Sequence, residues 1–328
     1  MGPAFLRSIT ALLLTFVLTQ CSSVPGGGLS GGREAQLKKM GYVSVPLEKV
    51  SGDSRFSGVF KVNDVPLKFL IDSGANSTDV EDRLATQVGL KRSDSVSVVT
   101  RGALGREIRS GLGTGSLQVG PIKALNFSFT IAPSGKRKTS TSRYAGQVGL
   151  DALNSTGSLV DIPRGCLWVP GPNAHRTRSG LIRPLGPKPA LGVKMLGMGT
   201  AKRLPHLILH GTINGEHVSW VVDTGAEISV MDQQSFQRLG LPSVMTNSRM
   251  IDASGDRVAL RRSRVKNLRF GDVNVRTFDI AIAPLSEVKR YFKDPAGRPI
   301  DGILGMDFLT NGQILLDSGS KILYLGQP

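Results

Sequence analysis

The feature that most constrains this chain is that its pattern occurs twice. Phe60-Lys61-Val62-Asn63-Asp64-Val65-Pro66-Leu67 leads into Phe69-Leu70-Ile71-Asp72-Ser73-Gly74-Ala75. Gly211-Thr212-Ile213-Asn214-Gly215-Glu216-His217-Val218 leads into Trp220-Val221-Val222-Asp223-Thr224-Gly225-Ala226, at an offset of 151. Leu84 to Leu90 and Ser235 to Leu241 follow at the same offset, each a short helix candidate ending in Gly-Leu. Ala103-Leu104-Gly105-Arg106 and Ala253-Ser254-Gly255-Asp256 stand 150 apart. Val148 to Leu153 and Leu304 to Leu309 stand 156 apart, as do Asp161 and Asp317. Two copies at this period make a tandem pair of lobes, because a solenoid needs several short repeats.

Composition decides what kind of lobe. Forty Gly and 18 Pro in 328 residues, with short apolar runs between turn residues, predict a mostly β protein of two domains. Two Cys exclude a disulfide-dense scaffold and a Cys-rich zinc module. The net charge of +16 is spread over clusters such as Lys136-Arg137-Lys138 and Arg261-Arg262. No zinc-finger pattern, RNA-recognition signature or interleaved aromatics accompany it, so a solvated basic surface is expected and a nucleic-acid partner is not.

Arg7 followed by the apolar run Ile9 to Leu18 has the shape of an export signal, and the run is too short to span a bilayer. It ends in Leu18-Thr19-Gln20-Cys21, which resembles a bacterial lipoprotein signal in which Cys21 would be lipidated. Gln20 stands where such signals usually carry a small residue. A glycan on the triplet Asn76-Ser77-Thr78 would obstruct the loop after Asp72, which favours a bacterial envelope over a eukaryotic secretory route. The expected organisation is a signal over 1–21, a tether over 22–45, lobes over 46–170 and 203–328, and a basic Gly/Pro-rich linker over 171–202. Cys166, in an apolar run, reads as a buried small residue.

The sharpest chemical signal is the pair Asp72-Ser73-Gly74 and Asp223-Thr224-Gly225, each after an apolar strand. A water held between two carboxylates can attack a peptide bond if one carboxylate is ionised and the other protonated. Two carboxylates about 3 Å apart share one proton and titrate as a pair. Gly74 and Gly225 would permit the close approach, and the hydroxyls of Ser73 and Thr224 would bond across the two loops. A lone Asp-Ser-Gly is a common turn, and Asp317-Ser318-Gly319 is read as a hairpin turn. The matched context separates the other two from it.

These residues resemble retropepsin-like aspartic proteases, with two copies fused in one chain. The apolar-Asp-Ser/Thr-Gly-Ala loops, the later segments Val148-Gly149 and Ile303-Leu304-Gly305-Met306-Asp307-Phe308-Leu309, and their order carry the resemblance. It implies an all-β protein of two closed β-barrel lobes, each with a short helix near its end, and a cleft between them. It implies a catalytic dyad of Asp72 and Asp223, and flap tips near Gly105 and Gly255. The function implied is an exported aspartic endopeptidase with no cofactor and no metal. It would act on peptide or protein substrates as a monomer that is its own pseudo-dimer, held to the membrane if Cys21 is lipidated. Rival readings are a non-catalytic envelope protein that binds peptide or scaffolds through its cleft, and lobes that pair between chains.

Other candidates carry less. His206 and His210 share one face of a strand, near Glu216 and His217, but zinc would need more ligands than this spacing assures. Gly28-Leu29-Ser30-Gly31-Gly32 spells a nucleophile elbow without the strand and helix it needs. Gly111-Leu112-Gly113-Thr114-Gly115 reads as a flexible strand or bulge. Asp151 and Asp307 are expected to brace the short helix after Gly149 and Gly305.

Overall fold

Each copy of the repeat begins with a hairpin whose two turn residues set its register. Asn63-Asp64 and Asn214-Gly215 all have positive φ, the geometry that suits the twist of a two-residue hairpin. The strands they join, Phe56–Val62 with Val65–Ile71 and Leu207–Ile213 with Glu216–Val222, alternate or bury their side chains toward a lobe interior. The computed structural model describes residues 30–50, 52–105, 107–134, 144–174, 194–200, 206–252 and 255–325.

In the first lobe an eight-stranded sheet runs in the order Glu48–Lys49, Phe56–Val62, Val65–Ile71, Gly146–Val148, Asp79–Glu81, Ile122–Ala132, Glu107–Val119, Lys91–Arg101. Phe56–Val62 also pairs with Glu107–Val119, which closes the sheet on itself. The second lobe repeats this with Gly199–Thr200, Leu207–Ile213, Glu216–Val222, Gly302–Leu304, Val230–Asp232, Val273–Ala283, Arg257–Phe270 and Val244–Ile251. There the closing pair is Leu207–Ile213 with Arg257–Phe270. Short helices follow at Asp82–Gln87 and Leu150–Thr156, and at Gln233–Arg238 and Met306–Asn311. The protein is therefore all-β, with two tandem closed lobes.

A third sheet of six strands ties the lobes together. Its centre pairs Leu159–Asp161 with Leu315–Asp317 in antiparallel register, Leu159 opposite Asp317 and Asp161 opposite Leu315. The pairing reads the same from either lobe, so the pseudo-two-fold axis of the molecule passes through Val160 and Leu316. These two residues are fully buried in an apolar core that runs unbroken from Phe60 and Phe129 to Trp220 and Phe270. The Asp317-Ser318-Gly319 segment is the hairpin turn into Ile322–Leu325, as expected. Cys166 is buried in the strand Cys166–Pro170 of this sheet. The Gly-rich run from Gly111 to Gly115 lies in a strand with a register shift at Gly115 to Leu117.

The expected tether over 22–45 needs correction. Ser30–Lys39 is a helix and Tyr42–Pro46 is a strand paired with Cys166–Pro170. The helix is polar along most of its length and buries one apolar side chain, Leu37, in a cluster with Trp168, Leu315 and Tyr324, while Arg33 reaches Gln313 O and Glu34 reaches Arg164. One buried leucine leaves no helical periodicity to read. The linker expected over 171–202 likewise contributes the strands Lys194–Gly197 and Gly199–Thr200, the first paired with Ile322–Leu325. The export signal, Cys21 and the cluster at residues 136–138 lie outside the described residues. Among the described residues no helix is long and apolar enough to cross a membrane.

Leu37→Ala should lower the unfolding free energy by about 2–4 kcal/mol in a urea titration, the range for a fully buried leucine. An unchanged midpoint would return this segment to a tether.

Candidate active site

Asp72 and Asp223 stand at the ends of the strands Val65–Ile71 and Glu216–Val222, where each chain turns away from its sheet. The turns are held by the second pattern that the two copies share. Asp72 N donates to Val148 O at 3.0 Å, and Asp223 N donates to Leu304 O at 2.9 Å. Leu150 N and Met306 N then donate to Ala75 O and Ala226 O, both at 2.9 Å. Asp151 accepts from Thr78 N, Thr78 Oγ1 and Ala152 N, and Asp307 accepts from Ser229 N, Ser229 Oγ and Phe308 N. The two acids thus brace their helices against the loops, as expected.

Across the pseudo-two-fold axis the loops clasp each other. Ser73 N donates to Thr224 Oγ1 at 2.9 Å, and Thr224 N donates to Ser73 Oγ at 3.0 Å. Ser73 Oγ donates to Val222 O at 2.9 Å, and Thr224 Oγ1 donates to Ile71 O at 3.0 Å. Both side chains are buried. Each hydroxyl thereby satisfies one N–H and one C=O of the opposite lobe. Gly74 and Gly225 fit against the opposite carboxyl groups. A Cβ on Gly74 would lie 2.3 Å from Asp223 Cγ, and one on Gly225 would lie 2.4 Å from Asp72 Cγ. The two carboxyl groups share a hydrogen bond.

Residues 59–154 match the family model described as "gag-polyprotein putative aspartyl protease", and residues 209–308 match the one described as "Aspartyl protease". Each lobe is a retropepsin-like aspartyl protease domain. A crystal structure of Basic 7S globulin from soybean aligns over 87% of this chain and 94% of that chain, at 10% identity and a TM-score of 0.49. No curated protein matches the chain.

The pairing of the two protease domains sets the electrostatics of the carboxyls. Burial, then the charge of Asp223, pushes Asp72 well above the usual carboxylate range. Burial also raises Asp223, against the pull of the Gly225 and Ala226 N–H groups, Asp72 and Arg55. One proton is therefore retained between them above the pH at which an ordinary aspartate loses it.

Each lobe also carries a long hairpin. The first joins Lys91–Arg101 to Glu107–Val119, and the second joins Val244–Ile251 to Arg257–Phe270. Gly105 and Gly255 lie in their turns with φ of +97° and +85°. Leu104 N donates to Asp252 Oδ2 at 2.9 Å, so the first hairpin hangs on the second. Gly105 packs on Glu287 of the second domain, where a Cβ would meet the Glu287 side chain. Sequence reasoning missed Asp252 and Glu287, because neither has a counterpart at the repeat offset.

It also missed the residues behind the loops. Arg55 Nη1 donates to Gly225 O at 3.3 Å, and His206 Nε2 lies 2.9 Å from Gly74 O. Each stands 17 residues before the aspartate of its own lobe. That shared spacing was the available signal. His206 packs edge-on against Phe292, and burial lowers its imidazole to about 4, with the bond to Gly74 opposing. The two histidines weighed as a metal pair thus separate: His206 faces the loop, whereas His210 lies near His217 and Asp294. Arg298 bridges the latter two, 3.1 Å from His217 Nε2 and 2.7 Å from Asp294 Oδ2, so the protein supplies its own cation there.

Thr224→Val strands the buried Ser73 N–H and Ile71 C=O and should cost about 2–4 kcal/mol of unfolding free energy, whereas Thr224→Ser should cost little. Equal losses in the two variants would deny the hydroxyl its role. The depressed His206 favours the neutral imidazole in the fold. Its contribution is complete above the unfolded value of about 6.5 and is lost as pH falls toward about 4. Denaturation midpoints should therefore fall over that window on the order of 3 kcal/mol less steeply in His206→Gln, which keeps a donor to Gly74. Superimposable pH profiles would exclude the assignment.

Proposed function

We propose that the protein is an exported aspartic endopeptidase in which Asp72 and Asp223 activate one water against a peptide bond. The observation that carries this is the hydrogen-bonded pair of carboxyls held by reciprocal Ser73 and Thr224 bonds. One carboxylate takes a proton from the water. The other gives its proton to the peptide carbonyl oxygen, so a neutral tetrahedral diol forms without free charge in the cleft. The protonated acid then gives its proton to the amide nitrogen while the other carboxylate takes one from a diol hydroxyl, so the C–N bond breaks to acid and amine and the pair is again singly protonated. The hairpins over the site would hold an extended peptide and exclude bulk water from it.

The retained proton implies a working range that extends above the strongly acidic one. The basic charge of the chain favours acidic or surface-bound substrates. Export follows from residues 1–21, and anchoring would follow from lipidation of Cys21. The two lobes of one chain complete the site, so a monomer is the active species.

Residues 22–328 should cleave peptides in a diverse mixture between acid and neutral pH, read as new termini by mass spectrometry. Asp72→Asn and Asp223→Asn should each reduce cleavage by about a thousandfold or more while melting as the parent does. Full activity in either variant would sink the shared dyad. A folded parent that binds peptides and cleaves none would favour the binding-protein reading.

A further inference from the structure

The two lobes repeat each other in backbone but not in charge, and the difference falls on the carboxyl pair. Asp223 Oδ1 accepts two backbone N–H groups, from Gly225 at 2.7 Å and Ala226 at 3.1 Å. Among the described residues Asp72 Oδ1 accepts one, from Gly74 at 2.9 Å. Backbone donors favour the charged form of a carboxylate, so this count favours charge on Asp223.

The groups behind the loops point the same way. At equivalent positions of the repeat, the loop of Asp223 is held by the guanidinium of Arg55 and the loop of Asp72 by the neutral ring of His206. His206 Nδ1 is buried with no hydrogen-bond partner among the described residues, an environment that keeps the ring uncharged. Arg55 is itself fixed by Asp53, whose carboxylate accepts from Arg55 N at 2.8 Å and Nε at 2.7 Å. Glu227 also faces the guanidinium, and Ser54 Oγ donates to its carbonyl at 3.2 Å. On the other side stands Asp79, buried in the strand Asp79–Glu81, where the second lobe has the neutral Val230. Its charge disfavours a charge on Asp72.

We propose that in the resting pair Asp223 is the dissociated carboxylate that takes the proton from water and Asp72 holds the shared proton that is given to the carbonyl oxygen. Arg55 and Asp79 are positioning residues that act through this choice. The assignment rests on the endopeptidase reading for its chemical consequence but not for its measurement.

The test follows from which microstate each charge touches. If Asp223 ionises first, loss of Arg55 raises the first ionisation, and because the guanidinium also interacts with Asp72 the second rises with it. Asp79 opposes only the second. In the pH profile of kcat/KM, the double variant Asp53→Asn/Arg55→Gln should raise the acid limb by about one unit. It removes the cation without leaving Asp53 buried alone. Asp79→Asn should lower the alkaline limb by about one unit and leave the acid limb in place. An unmoved acid limb in the double variant, or an Asp79→Asn variant that moves the acid limb, would overturn the assignment. Carbon-13 titration of the two carboxyl groups in the folded parent reads the same order without cleavage. Asp223 should titrate first, and first titration of Asp72 overturns the proposal even where the protein proves not to be a protease. A parent with no activity but with Asp223 titrating first would remove the endopeptidase reading and leave this one standing.

Discussion

The reciprocal bonding of Ser73 and Thr224 is the constraint on which the rest of the site depends. Each hydroxyl satisfies a buried N–H and a buried C=O of the opposite loop. Neither loop can reach that state alone, and leaving such groups unpaired costs about 1–3 kcal/mol each. The lobes must therefore meet at this point. Once they do, the backbone after each aspartate is pressed against the opposite carboxyl, and only residues without a Cβ fit at 74 and 225. The same closeness obliges the two acids to share a proton. Geometry, glycine and protonation state are consequences of one bonding pattern.

Fusion in a single chain lets the copies diverge around that pattern. The interlobe pairing of Leu159–Asp161 with Leu315–Asp317 keeps the pseudo-two-fold axis, and the hydroxyl clasp keeps it at the site. Charge departs from it. Arg55 stands where the other copy has His206, Asp79 stands where it has Val230, and the first hairpin hangs on Asp252 of the second. A symmetric pair of identical chains could not hold such differences, because each residue would occur on both sides.

Much of this was legible in the sequence, for reasons that differ by element. The hairpins at Asn63-Asp64 and Asn214-Gly215 and the loops after Ile71 and Val222 are local, so turn chemistry and the repeat revealed them together. Asp151 and Asp307 were readable as braces because both copies carry them at the same place. The helix Ser30–Lys39 was not readable, since it is specified by one leucine entering a cluster built from both lobes. The common role of Arg55 and His206 was not readable, because different residue types fill it in the two copies. Asp252 escaped because its partner, Leu104 N, is a backbone group in the other lobe.

The sequence by itself determined that the chain is two copies of one β lobe and that each copy ends a strand in an acid, a hydroxyl and a glycine. Those properties reside in spacing and local turn chemistry, which survive without knowledge of what lies across space. Only the tertiary structure decided that the two acids meet, which hairpin leans on the other, and which acid has the cation behind it. These are contacts between residues some 150 positions apart, such as Arg55 with Gly225 and Leu104 with Asp252. A Coulomb interaction or a hydrogen bond depends on distance in space, and one-dimensional order does not contain that distance until the lobes close.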